Sequence, residues 1–304
     1  MSDKPAHIIR KPGWLRTNLA GNGTFAYVHS LIQTRGLHTI CQEGKCPNKA
    51  ECWRCGTATF MILGDRCTRA CKFCATATGH PLPPDPSEPG LLAASVQDMQ
   101  LKHVVITSVT RDDLPDEGAE HWRQCIEAVR KACPNTTIEV LTPDFNQKEP
   151  LIRIVAQARP NLFAHNLETV ERMTPMIRSR ATYQGSLQTL RVMHELGFRT
   201  KTGLMLGLGE TEQEVLQTMD DALQAGVSIL TMGQYLQPSA KHFPVAEYVT
   251  PEKFAEYRQT ALDKGIAFVE SAPLVRSSYH AERAMLRTKQ KSSNFATGLS
   301  QDTE

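Results

Sequence analysis

From residue 59 onward the chain alternates two hydrophobic patterns. Short runs rich in β-branched and other apolar residues fall near Thr59–Leu63, His103–Ser108, Thr137–Leu141, Asn161–His165, Thr200–Leu206 and Ile229–Met232, which is the length and content of strands. Between them apolar positions recur at helical spacing. The clearest helix runs from Glu212 to Ala225, where Thr211 and Glu214 form a capping box, Val215, Leu216, Met219 and Leu223 share a face, and Gly226 follows the end. Others are predicted from Ser186 to Leu196 before Gly197, and from Thr250-Pro251 to just before Gly265. Strand and helix in strict alternation imply parallel strands joined by crossovers, hence an α/β fold, either an open doubly wound sheet or a barrel. We expect a partial or irregular (β/α) barrel. Polar residues recur just past the predicted strands, in Ser108–Asp113, Thr142–Asp144, Asn166–Glu168 and Gly207–Glu210, where such folds build their sites.

Residues 1–58 lack a sustained period and read as a wrapping N-terminal extension with one short helix around Thr24–Thr34. Five prolines in segment 80–90 predict a stiff surface connector, and residues 287–304 read as a polar, disordered tail. The expected domains are therefore 1–58, 59–286 and 287–304. No internal repeat is visible. The longest unbroken apolar run is four residues, such as Phe60–Leu63, against the roughly 20 needed to span a bilayer. Asp3, Pro5, Pro12 and Gly13 interrupt any secretory h-region, so a cytoplasmic location without membrane attachment is expected. With 34 basic and 32 acidic residues the net charge is +2, which gives no reason to expect a nucleic-acid partner.

The chemistry sits in the cysteines: seven of the nine lie between Cys41 and Cys74. In a reducing compartment such a cluster favours metal over disulfides. Cys67, Cys71 and Cys74 form C-x3-C-x2-C directly after the strand ending near Leu63. Three thiolates would leave one iron of a four-iron cluster open to a small molecule, and three protein ligands with one open position also describe catalytic zinc. The spacing matches neither paired zinc-ribbon cysteines nor the bacterial ferredoxin run. Cys41, Cys46 and Cys52 form a second incomplete set, C-x4-C-x5-C, which Cys55 or His38 could complete as a zinc site.

The segment CTRACKFC, with Phe73 before its last cysteine, resembles the loop of radical S-adenosylmethionine enzymes. Together with CQEGKCPNKAECW, TSVTRDDLPDEGA, FAHNLETV, KTGLMLGLGET and the RSSY of Arg276–Tyr279, it resembles the lipoyl synthase family over most of residues 37–280. The resemblance implies two four-iron, four-sulfur clusters and S-adenosylmethionine. One cluster would sit on Cys67, Cys71 and Cys74. An auxiliary cluster on Cys41, Cys46, Cys52 and a serine of RSSY, here taken as Ser277, would surrender its sulfur. A serine oxygen is a harder partner for iron than a thiolate, which suits a bond meant to break. The implied reaction is radical insertion of two sulfur atoms at C6 and C8 of a protein-bound octanoyl group. Such positions are unactivated alkane carbons, beyond acid–base chemistry.

The implied partners are octanoylated lipoyl carrier domains (dehydrogenase-complex E2 subunits and the glycine cleavage H protein), an electron donor such as ferredoxin or flavodoxin, and an iron–sulfur carrier protein. Asn166 and Glu168 are suited to hydrogen-bond a ribose, and Arg178 to pair with the methionine carboxylate through its planar fork. Thr107–Arg111 could line the methionine pocket. Asp112 and Asp113 sit near the expected cluster or else start the following helix. Arg276 is a candidate to orient the serine or bind substrate, and His165 reads as a satisfied core residue. Cys55 matches no expected family ligand and reads as a buried apolar thiol. Gly207 and Gly209 form a turn that permits close approach. Other readings are a biotin-synthase-like sulfur-inserting enzyme and, in another class, a zinc-binding interaction protein.

Overall fold

The computed structural model describes residues 10–17 and 21–278. Tyr279, the expected boundary at 286 and the polar tail 287–304 lie outside the described residues. The first elements are helix α1 (Gly23–Thr34), strand β1 (His38–Thr39), and short helices α2 (Ile40–Glu43) and α3 (Lys49–Arg54). Strand β2 (Thr59–Ile62) leads into a loop containing the small pair β3 (Arg66–Cys67) and β4 (Ala77–Thr78). Then follow α4 (Glu88–Asp98), β5 (His103–Ser108), α5 (Ala119–Ala132), β6 (Thr137–Leu141), α6 (Glu149–Gln157) and β7 (Leu162–Ala164). The series closes with α7 (Thr174–Ile177), α8 (Tyr183–Glu195), β8 (Thr200–Leu206), α9 (Glu212–Gln224), β9 (Val227–Gln234), α10 (Pro251–Asp263) and β10 (Phe268–Ser271).

The main sheet runs β1-β2-β5-β6-β7-β8-β9-β10, with every pairing parallel except β1 against β2. The order from β2 onward never reverses, so the sheet lacks the switch point of a doubly wound fold and winds as a barrel does. Met61 of β2, Val105 of β5 and Thr231 of β9 face one shared cavity, so the sheet curls around it. The described residues show no pairing of β10 with β2, and the barrel is therefore partial.

The helices cover the outside: Trp122, Ile126 and Val129 of α5 are fully enclosed against the sheet and α4. Deep in the sheet, Lys201 Nζ lies 2.7 Å from Glu139 Oε1, and His103 Nε2 is 3.5 Å from Oε2 of the same carboxylate. Burial pushes Glu139 up, but Lys201 and His103 outweigh it, and the carboxyl sits below its usual range.

The capping box of α9 forms, with Thr211 accepting from the Glu214 amide and the Glu214 side chain returning to the Thr211 amide. Segment 80–90 is not wholly a connector, because α4 starts at Glu88 with Pro89 in its first turn. A missing N–H costs nothing at that position. Nor do Asp112 and Asp113 start α5: Asp116 does, its carboxylate accepting from the amides of Gly118 and Glu120, both at 3.0 Å. Helix α8 begins at Tyr183, a turn earlier than its apolar pattern suggests, because Thr182 caps the Gly185 amide. The extension is more structured than expected, adding α2, α3 and the antiparallel edge strand β1 to α1. Among the described residues no helix is long and apolar enough to cross a membrane.

Candidate functional site

Strand β2 delivers its C-terminal end into the cysteine loop. Leu63 turns the chain with φ 68°, and its amide is held by Glu88 Oε2 at 2.9 Å. The same oxygen lies 2.6 Å from His121 Nε2. Glu88, His121 and nearby Cys125 are all buried, and the Glu88–His121 pair supports the Leu63 amide beneath the loop. The loop is closed by β3–β4, where Cys67 lies opposite Thr78. Cys67 Sγ is approached by the Arg69 amide at 3.4 Å and the Thr110 amide at 3.3 Å, and Cys71 Sγ lies 3.6 Å from Ser179 Oγ. Cys74 is pushed up by burial first, its own hydrogen bonds at Thr76 pulling back and the neighbouring Cys71 and Cys67 adding to the rise.

Arg69, between the first two cysteines, is the residue that sequence reasoning missed. It is buried, and reaches Asp112 by Nε and Nη2, Asp144 by Nη1, and Asn146 Oδ1. The acid doublet of TRDDLPDEG was its signal: a buried arginine in a cysteine loop needs a carboxylate.

The second triad gathers from α2, the following turn and α3. The Cys46 amide bonds the Cys41 carbonyl at 3.2 Å, and the Cys52 amide bonds the Asn48 carbonyl at 2.9 Å. Asn48 Nδ2 donates to the Leu274 carbonyl at 2.7 Å, bringing the RSSY segment against this triad. Burial raises all three thiols. The Cys41 and Cys46 thiols raise Cys52 further, to about 12. Arg276 stands beside Cys46: burial pulls the guanidinium down and the Cys46 charge pushes it back up. Cys55 is exposed, contrary to the buried thiol expected, because it caps the end of α3 rather than its packed face. His38 lies toward Glu43, at 3.9 Å.

Past β7, the His165 Nδ1 lies 2.9 Å from the Thr142 carbonyl and its Nε2 lies 3.0 Å from Ser186 Oγ, the satisfied core role expected. Asn166 Nδ2 donates to Ser277 Oγ at 2.8 Å. Glu168, at φ 70°, is raised by burial, with Arg178 and then Asn166 drawing it partly back. Arg178 Nη1 donates to Ser186 Oγ at 2.8 Å and to the Asn166 and Leu167 carbonyls, while its buried Nε has no partner among the described residues.

A single cavity of about 960 Å³ collects these groups. Both thiol triads, Phe73, Asn166, Glu168, Arg178, Arg276, Ser277 and Ser278 line it, as do Thr107–Thr110. Its size lies at the top of the range of roughly 300–1,000 Å³ usual for small-molecule sites. Arg111 is turned away onto Asp113, and Gly207–Glu210 folds on itself, the Glu210 carboxylate accepting from the Gly207 and Leu208 amides at 2.5 and 2.9 Å. The donor sets fit iron–sulfur clusters. Each triad offers three soft sulfur ligands, and the described thiols of a triad oppose one another's ionisation, a cost that bound iron removes.

The Radical SAM superfamily model matches residues 61–222. A lipoyl synthase of Parabacteroides distasonis is 58% identical over 278 residues, 91% of this chain and 99% of that one. One from Bacteroides fragilis is 54% identical over 275 residues, 90% of this chain and 96% of that one. Among solved structures, methylornithine synthase has a TM-score of 0.54 at 12% identity, covering 85% of both chains. Streptococcus suis SuiB bound to S-adenosylmethionine has a TM-score of 0.56 at 11% identity, covering 75% of this chain and 54% of that one. These two likenesses concern the fold alone.

Proposed function

The chain belongs to the lipoyl synthase family within the radical SAM superfamily, and from that premise we propose how its residues divide the work of inserting sulfur at C6 and C8 of a protein-bound octanoyl group. When bound, two four-iron clusters and S-adenosylmethionine supply the hydrogen-abstracting radical and the sulfur, given electrons from an external donor.

Cys67, Cys71 and Cys74 hold the first cluster, and the amides of Arg69 and Thr110 lie against the Cys67 sulfur and fix its place. Cys41, Cys46 and Cys52 hold the auxiliary cluster with Ser277, and the Arg276 guanidinium offsets negative charge beside Cys46. Asn166 and Glu168 face the nucleotide ribose. Arg178 offers its unpaired Nε–H to a carboxylate, its Nη1 being tied to Ser186. Phe73 and Met61 help wall the cavity, keeping water and solvent hydrogen donors from the reacting carbons. In domain terms, the described residues up to 58 carry the auxiliary triad, and those from 59 to 278 carry the barrel with Arg276–Ser278.

The observation that carries this reading is that both triads and Ser277 face one cavity. The substrate is an octanoylated lipoyl carrier domain. Dehydrogenase-complex E2 subunits and the glycine cleavage H protein are its forms, and ferredoxin or flavodoxin and an iron–sulfur carrier are the supporting partners. All nine cysteines are free thiols, in keeping with a reducing cytoplasm. The test is anaerobic incubation of the reconstituted enzyme with octanoylated carrier, S-adenosylmethionine and reductant, followed by mass spectrometry of the carrier. A gain of two sulfur atoms is expected. Cleavage of the nucleotide with an unchanged carrier would reject the substrate, and a colourless zinc protein would reject the chemistry.

A further inference from the structure

Asn166 reaches in two directions. Its Nδ2 donates to Ser277 Oγ at 2.8 Å, and its Oδ1 is buried with no hydrogen-bond partner among the described residues. The backbone at this point is already fixed, because the Asn166 carbonyl accepts from Arg178 Nη1 at 3.3 Å and the Leu167 amide donates to Thr202 Oγ1 at 3.0 Å. The side-chain amide is held at its nitrogen end alone, by Ser277 Oγ and the Glu168 carboxylate, about a torsion that is intrinsically broad. Strand β8 makes room for the arrangement at Gly203. A Cβ there would lie 2.9 Å from Asn166 Oδ1 and 3.1 Å from Ser277 Oγ, so the two polar groups meet over a bare stretch of backbone.

Nitrogen and oxygen of an amide turn as one plane. A donor that engages Oδ1 stops the rotation and keeps Nδ2 aimed at Ser277. Resting on the reading of Ser277 as a cluster ligand, we infer that Asn166 is a positioning residue joining the nucleotide pocket to Ser277: a nucleotide hydroxyl on Oδ1 locks the amide, and the locked amide steadies the serine oxygen. A serine oxygen on iron carries negative charge, so an N–H at this distance holds it by a charge-assisted bond. The nucleotide therefore protects the serine–iron bond until chemistry begins, although it touches neither atom of that bond.

The test uses oxidised holoenzyme without reductant, so that S-adenosylmethionine binds without being cleaved, and follows iron lost from the protein by separating released iron through a size filter and reducing only the filtrate before reading it with a ferrous-iron chelator. The native enzyme is expected to lose its Ser277-dependent iron roughly tenfold more slowly with saturating S-adenosylmethionine than without it, the scale of one hydrogen bond to a charged group. S277A loses that iron fast in both conditions. N166A and N166D lose the protection: N166A removes the donor without adding charge, and N166D keeps the shape and an acceptor while replacing the N–H with a charged oxygen. Adding N166A to S277A brings no further loss, as two residues acting through one contact require. Nucleotide protection that persists in N166D, or that appears equally in S277A, overturns the inference while leaving the proposed function standing. Equal iron loss from S277A and native enzyme without nucleotide overturns the assignment of Ser277, and the inference with it.

Discussion

Arg69 forks onto Asp112, with Nε 2.9 Å from Oδ2 and Nη2 2.8 Å from Oδ1, while its Nη1 reaches Asp144 at 2.7 Å. One side chain thus ties the cysteine loop after β2 to the ends of β5 and β6. Both members of the Arg69–Asp112 pair are largely hidden from solvent, at 5% and 9% side-chain exposure. Removing one partner leaves the other charge buried and unmatched, at a cost of about 3–5 kcal/mol. R69M should therefore unfold at markedly lower denaturant and retain less iron on the first triad. R69K, which keeps charge but loses the planar fork, should fall between R69M and native enzyme. Unfolding midpoints and iron per chain measure both; native values for R69M would show that the fork does not position the loop.

His165 sets an acid limit on the fold. Burial, and then Arg178, lower its pKa from 6.5 to about 4. The folded state thus binds this proton less readily than the unfolded chain. The stability it contributes is complete above pH 6.5 and is lost as pH falls toward 4. The urea midpoint should decline across that window, and H165Q should flatten the decline while lowering the plateau. A native-like slope in H165Q would assign the acid limit to other groups.

Much of this could be read in the sequence wherever the determinant was local. The capping box of α9 spans four residues, and the two thiol triads declare themselves by spacing. Strand β10 was missed because Phe268–Ser271 is short and ends in polar residues, and β1 because two residues carry no period. Pro89 hid the start of α4, since proline reads as a breaker except in a first turn. The pairs that organise the site are distant along the chain: Arg69 and Asp112 lie 43 residues apart, Asn166 and Ser277 lie 111 apart. Local spacing carries no signal for them. The exposure of Cys55 likewise depends on how α3 is rotated against the barrel, which only packing decides.

Gly207 and Gly197 separate backbone strain from steric clash. Both are left-handed, at φ 92° and 83°. A Cβ at Gly207 would lie 2.2 Å from Gln234 Nε2 and 2.4 Å from the Glu247 carbonyl, whereas Gly197 has open space. G197A should cost about 1 kcal/mol, the backbone strain alone. G207A should cost about 1–3 kcal/mol beyond that, the usual range for overpacking. Thermal unfolding measures the difference, and equal losses would mean that the Gln234 contact yields freely.

The origin of the inserted sulfur bears most closely on the role of the auxiliary triad. Enzyme reconstituted with heavy-isotope sulfide is incubated with octanoylated carrier, S-adenosylmethionine and reductant, and the sulfur isotopes of the product are read by mass spectrometry. Both new sulfur atoms are expected to carry the label, and the C41A/C46A/C52A variant is expected to make no product. Unlabelled sulfur in the lipoyl group, or labelled product from that variant, would contradict that role.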